Sequence, residues 1–135
     1  MENPSNLKLL GQEDRIFAGQ HFPKPFAFNE EVAAVFDDMV HRSIPLYDRV
    51  TEYAAAWAHR HYQPGTTLYD IGCSTGTTLE LVGRSLTTGA RLTGIDAAAP
   101  MLEQARIKLV EIGRIHEVSL VQADASQWPC RPHRL

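Results

Sequence analysis

With 135 residues and 44% hydrophobic side chains, the chain is long enough to bury the core of one domain. A formal net charge of −3 with scattered lysines and arginines argues against direct nucleic-acid binding, and no apolar run approaches the roughly twenty residues of a membrane span. The two cysteines, Cys73 and Cys130, have no metal-ligand spacing and favour a reduced, cytoplasmic setting; the N-terminus lacks the charged-then-apolar pattern of a secretory signal.

Residues 1–27 mix polar positions with Pro4, Gly11, Gly19, Pro23 and Pro25, and read as a loosely ordered arm. The remainder, 28–135, reads as one partial domain. Its helical lead-in spans 29–63. Asn29 is a good N-cap, Glu30 and Glu31 suit the positive end of a helix, and Val32, Val35, Phe36 and Met39 recur at helical spacing. The segment Arg42–Pro45 breaks that run, with Pro45 suited to the first turn of a second helix. Tyr47, Val50, Ala54, Trp57, Ala58 and His61 form the expected stripe of that helix, and Gln63-Pro64-Gly65 ends it. The pairs Glu30-Glu31 and Asp37-Asp38 read as helix-end and solvated charges.

The pattern then changes to α/β alternation over 66–125. Thr66 to Ile71 is predicted as a buried strand, Thr77 to about Leu86 as a helix, and Arg91 to Asp96 as a strand. A further helix runs from Pro100 through Val110 until Gly113, and Glu117 to Ala123 forms a third strand. Strands alternating with helices of this length imply parallel pairing and right-handed crossovers. The last stretch, 126–135, with Pro129, Pro132, Arg131 and Arg134, is an irregular tail that cannot make a fourth buried strand.

The chemistry concentrates in Asp70-Ile71-Gly72-Cys73-Ser74-Thr75-Gly76. A strand that ends in a glycine turn and feeds a helix is how doubly wound proteins build nucleotide sites. Gly72 suits a tight turn, Gly76 suits close approach to a ligand or strand, and the first helical N–H groups face outward. Asp96 stands where the next strand ends, a carboxylate suited to a ribose diol. The dinucleotide fingerprint asks for a third glycine where this chain has Leu79, which argues against a pyrophosphate. Asp70 would repel phosphate but suits a cationic amino-acid group. S-adenosyl-L-methionine, with an ammonium and a sulfonium and no phosphate, fits the loop better.

The run YDIGCSTG, then GID, PMLEQAR and VQAD, resembles the class I S-adenosylmethionine-dependent methyltransferase superfamily. FNEEVAAVFDDMVHRSIPLYDRV followed by QPGTTLYDIGCS resembles, more narrowly, the carboxy-S-adenosylmethionine synthase family. The resemblance covers about 28–124 and implies the N-terminal half of a Rossmann-like class I methyltransferase fold: three parallel strands with crossover helices, preceded by two helices. It implies transfer of a carboxyl group from prephenate to S-adenosylmethionine, in service of transfer-RNA wobble-uridine modification.

By position, the resemblance makes Tyr47 a cofactor contact, sets Gly72, Cys73 and Ser74 along the amino-acid portion, and gives Asp96 the ribose. Ala97 follows along the cofactor edge, and Asp124 with Ala125 sits by the adenine. Two departures favour a divergent relative: Leu46 stands where the family usually has Gly before the tyrosine, and Ala97 where it usually has Asn.

Plainer readings stand beside these. Tyr47 could be a core aromatic and Asp124 a turn residue at a strand end. Cys73 reads as a small neutral lining residue, since no local His or Lys would activate it. His59 and His61, two apart on a helix, do not share a face for metal binding, and His41, His116 and His133 lack partners at ligand spacing. No catalytic residue is identified. A three-stranded sheet would leave the first strand an open edge, which invites pairing with another chain, a homo-oligomer included. The chain therefore reads as an incomplete version of a longer enzyme. An ordinary small-molecule methyltransferase and a non-enzymatic interaction module remain the alternatives.

Overall fold

The computed structural model describes residues 27–128. The predicted arm (all but Ala27), Cys130, His133 and most of the predicted tail lie outside the described residues. The described part runs α1 (Glu30–Ser43), α2 (Tyr47–His61), β1 (Thr67–Ile71), α3 (Thr77–Ser85), β2 (Arg91–Asp96), α4 (Ala99–Lys108), a short 3-10 turn (Ile112–Arg114) and β3 (Glu117–Gln122). The three strands are parallel in the order β1-β2-β3, with Thr67 beside Arg91 and Arg91 beside Glu117. The α/β class, the two leading helices and the strand positions agree with the sequence reading.

The main core lies between β2 and the two crossover helices. Leu79, Val82 and Leu86 meet Leu102, Ala105 and Leu109 over Leu92, with Ile112 closing one end. Sequential strand order with right-handed crossovers puts α3 and α4 on one face of the sheet. Buried His116 ties this layer together. Its Nδ1 accepts the Ala90 N–H at 3.1 Å and its Nε2 donates to the Gly83 carbonyl at 2.7 Å. These partners define the neutral Nε2–H tautomer and make the ring a fastener between α3, β2 and β3.

The lead-in packs around this layer. Asn29 caps α1 as its sequence suggests, Oδ1 accepting the Val32 N–H at 2.9 Å. Val32 and Ala33 of α1 pack on Met101 of α4, and α2 lies against α3.

Four expectations are corrected here. Pro45 lies in the turn before α2, not in its first helical turn, because helical geometry resumes only at Tyr47. The inward face of α2 is Thr51 and Ala55, with Ala58 partly buried; Val50, Tyr53 and Trp57 face outward, Trp57 stacking on His61 at 5.0 Å. Small side chains face α3 because they let the two helices approach closely. Asp37 and Asp38 are not solvated: Asp38 is buried and pairs with Arg42, and Asp37 pairs with Lys108. The first strand, read as buried, is an edge of the described sheet, and Tyr69 and Ile71 are each 54% exposed. The open edge itself was expected.

The turn into α2 explains one departure from the family pattern. Leu46 occupies the N-cap position with φ 61°, ψ 24°, a left-handed conformation that costs a residue with a Cβ about 1–2 kcal/mol. Its side chain is 74% exposed, so packing returns little. Leu46→Gly is expected to stabilise the chain by about 0.5–1 kcal/mol, the relief of strain exceeding the added freedom of the unfolded glycine. A higher urea midpoint at unchanged slope would show it; a lower midpoint would refute it.

Candidate functional site

Parallel strands end together, so the three loops at their carboxyl ends share one edge of the sheet. Gly72 to Gly76 follow β1, Ala97 and Ala98 follow β2, and Ala123 to Ser126 follow β3. The registers Ile71 beside Ile95 and Asp96 beside Gln122 set this alignment.

The β1 loop is built from unusual backbone. Gly72, Ser74 and Gly76 all have positive φ, at 75°, 49° and 82°. Two glycines accept this readily; Ser74 needs external support. Gly72 and Cys73 N–H both donate to the Ile95 carbonyl, at 2.7 and 3.0 Å, and Gly76 N–H donates to the Cys73 carbonyl at 2.8 Å. Ser74 N–H donates to Asp96 Oδ2 at 2.9 Å. The other oxygen, Asp96 Oδ1, accepts the Ala98 N–H at 2.9 Å. One carboxylate therefore holds two loops and keeps further lone pairs for a ligand. A Cβ placed on Gly72 would meet open space, whereas one on Gly76 would press on Leu109 and Ala105 of α4. Gly76 thus permits the close approach of Ala105 in α4 and of Leu109 just beyond it.

The other predicted residues divide by position. Tyr47, half-buried at the start of α2, packs edge-on against His41 at 5.4 Å between ring centres. Burial raises its phenol above the ordinary value, with Asp37 and Asp70 adding to the effect, while a hydrogen bond to Thr77 opposes it. Tyr47 therefore faces the glycine loop, as a core aromatic alone need not. Asp70 stands one residue before the end of β1, close to Asp96. Cys73 keeps its backbone in the loop, but its thiol turns into the core below Gly94. Burial, then Asp70 and Asp96, push that thiol up to about 12, so it is neither thiolate nor nucleophile at neutral pH. Ala97 is exposed, and its carbonyl accepts from the Gln122 side chain at 3.2 Å. Asp124 and Ala125 are exposed beyond β3, where Asp124 Oδ1 accepts both N–H and hydroxyl of Ser126, holding its carboxyl below the usual range.

Asp70 sits at an electrostatic cost. Burial, with Asp96 next to it, raises its carboxyl above the ordinary value. Its ionised form is thus disfavoured in the folded chain. The loss of stability is complete above the folded-state value and disappears as pH falls below the unfolded-state one. Asp70→Asn is expected to melt a few degrees higher than the parent at pH 7, with the difference closing towards pH 4. A variant melting lower at pH 7 would contradict this.

The sequence reading missed Asp37, Thr75, Thr77 and Lys108, which meet directly behind the loop. The two threonines flanking Gly76 were the only local signal.

The chain is 49% identical over 117 residues to a protein named carboxy-S-adenosyl-L-methionine synthase from Trichodesmium erythraeum (strain IMS101), covering 87% of this chain and 46% of that protein. It is 38% identical over 121 residues to one of the same name from Desulfotalea psychrophila (strain LSv54 / DSM 12343), covering 89% and 49%. The chain thus spans about half the length of these curated relatives. The resemblance drawn from its motifs is borne out at that level. Among solved structures, a Methanococcus maripaludis protein described by inference as an S-adenosyl-L-methionine-dependent methyltransferase superposes with a TM-score of 0.56 at 18% identity, over 82% of this chain and 48% of that one, which shows the shared fold. Residues 68–135, just over half of the chain, match the family model described as a methyltransferase domain, and the chain belongs to that family.

Proposed function

We propose that this chain forms the S-adenosyl-L-methionine-binding part of a carboxy-S-adenosyl-L-methionine synthase-like enzyme. The observation that carries this reading is the clasp of Asp96 on the Ser74 amide beside the open space over Gly72. The names of the relatives support the branch.

In this reading, Asp96 accepts the ribose hydroxyls with its remaining lone pairs. Gly72, Cys73 and Ser74 present backbone to the amino-acid portion, and Gly76 sets the turn that starts α3. Asp70 attracts the ammonium group, and Tyr47 covers the cofactor from the lead-in. Ala97 borders the ribose side, and Asp124 with Ala125 borders the adenine. The cofactor, when bound, supplies an activated methyl carbon. The protein's part is to position it and to exclude competing geometries. No donor-binding or catalytic group is assigned among the described residues; prephenate is the proposed donor, and modification of transfer RNA the proposed end use.

The matched family description keeps ordinary methyl transfer as the second reading. Incubation with S-adenosyl-L-methionine and prephenate, followed by mass spectrometry of the cofactor, separates the two. Carboxylated cofactor supports the synthase reading. S-adenosylhomocysteine formed with a small acceptor supports methyl transfer. Neither product, from a chain that still binds the cofactor, leaves a binding or interaction module.

A further inference from the structure

Lys108, near the end of α4, is 71 residues from its ion-pair partner Asp37 in α1. Its side chain is only 9% exposed, and that of Asp37 is 17% exposed. The ammonium donates three hydrogen bonds: to Asp37 Oδ2 at 2.5 Å, to Thr77 Oγ1 at 2.9 Å and to Thr75 Oγ1 at 3.0 Å. Thr75 in turn donates its hydroxyl proton to Asp37 Oδ1 at 2.6 Å. An ammonium has three protons, and all three find oxygen acceptors. The group is therefore largely shielded from solvent, neutral in sum and fully bonded.

Its position gives it consequence. Thr75 and Thr77 flank Gly76, the left-handed residue that starts α3 without a side-chain cap. On its inner side the loop is held by Asp96 and the Ile95 carbonyl. On its outer side the side-chain bonds found among the described residues run to Asp37 and Lys108. The lead-in meets the same cluster through Asp37 on α1, and Tyr47 on α2 lies near enough to Thr77 and Asp37 for both to influence its phenol. Ser74 sits between the two anchorages in a conformation it would not choose alone.

We propose that Lys108 is a positioning residue for the cofactor loop, linking the docking of the helical lead-in to cofactor affinity without touching the cofactor itself. The proposal rests on the cofactor-site reading above. An alternative role, simple bulk stability, would lower melting temperature and leave the affinity of the folded protein unchanged.

The test is calorimetric titration of S-adenosyl-L-methionine into the parent chain, Lys108→Met, Lys108→Arg and Ile112→Ala, well below each melting temperature. Ile112 is buried against Gly83 in α3 and controls for general destabilisation. Lys108→Met is expected to weaken binding at least tenfold, Lys108→Arg to recover part of that loss, and Ile112→Ala to stay within twofold of the parent. Amide exchange at Ser74 and Gly76 is expected to accelerate in Lys108→Met but not in Ile112→Ala. If Lys108→Met does not fold, the paired change Asp37→Asn with Lys108→Met removes both charges together and leaves no orphan. It too is expected to weaken binding and loosen those amides. Binding within twofold of the parent in either charge variant, with unchanged loop exchange, overturns the proposal. A parent that ignores the cofactor instead overturns the site reading, and the exchange measurement then still decides whether Lys108 holds the loop.

Discussion

Asp96→Ala is expected to abolish measurable cofactor binding and to cost the folded chain about 3 kcal/mol. Two backbone amides, Ser74 and Ala98, lose their charged acceptor at once. Hydrogen bonds to a charged group contribute about 1.5–3 kcal/mol each, and part of that loss is recovered by water. Ser74, with φ 49°, then has less to hold it in place. If Asp96 holds the ribose as proposed, that acceptor disappears in the same step, so affinity should fall at least about a hundredfold, the equivalent of one or two such bonds. Asp96→Asn is expected to fall between the two, because its amide offers one acceptor where two are used. Equal affinity in the alanine variant and the parent would show that Asp96 supports only the backbone.

Gly94→Ala is expected to be strongly disruptive for a single added methyl. Gly94 lies in the central strand, facing the helical layer. A Cβ there would stand 2.8 Å from the Cys73 sulfur, 2.8 Å from Leu79 Cδ1 and 3.0 Å from Leu120 Cδ2. Leu79 is fully buried, so it has nowhere to yield. Overpacking of this kind costs about 1–3 kcal/mol, and Gly94→Val should exceed that range. The strain also reaches the loop through Cys73, so binding should weaken along with stability. Cys73→Ala in the same chain removes the sulfur and should restore part of both. A denaturant series on the single and double variants measures this coupling, and strict additivity would contradict the proposed contact.

Much of this organisation is legible in short stretches of the chain. The strands, the glycine loop and Asp96 announce themselves through local spacing, because a strand end, a tight turn and a helix start each demand particular residues within a few positions. Asn29 is equally readable, since a cap acts on its own first turn. Sequence reasoning fails where the deciding partner is distant or where two faces compete. Asp37 reads as a solvated charge, yet its partner Lys108 arrives 71 residues later. On α2, bulky Val50 and Trp57 suggest the inward face, yet close helix packing selects Thr51 and Ala55. Leu46 stands out only as an oddity of sequence; its left-handed backbone supplies the reason glycine suits that place. Cys73 is placed along the cofactor by resemblance and read as a small lining residue, yet in the loop after β1 its thiol turns inward beneath Gly94.

Edge strand β1, with Tyr69 and Ile71 exposed, shows the same dependence on what lies beyond a local window. Its apolar composition suits a covered strand, and among the described residues one side of it is unpaired. Exposed edges of this kind favour association, so binding measurements are best made on the monodisperse fraction.

Calorimetric titration of the purified chain with S-adenosyl-L-methionine, and separately with NAD, tests the cofactor cradle most directly. Saturable heat with the sulfonium compound, lost in Asp96→Ala and absent with NAD, is the expected result. Saturable binding of NAD by a folded chain that gives no response to S-adenosyl-L-methionine would contradict it.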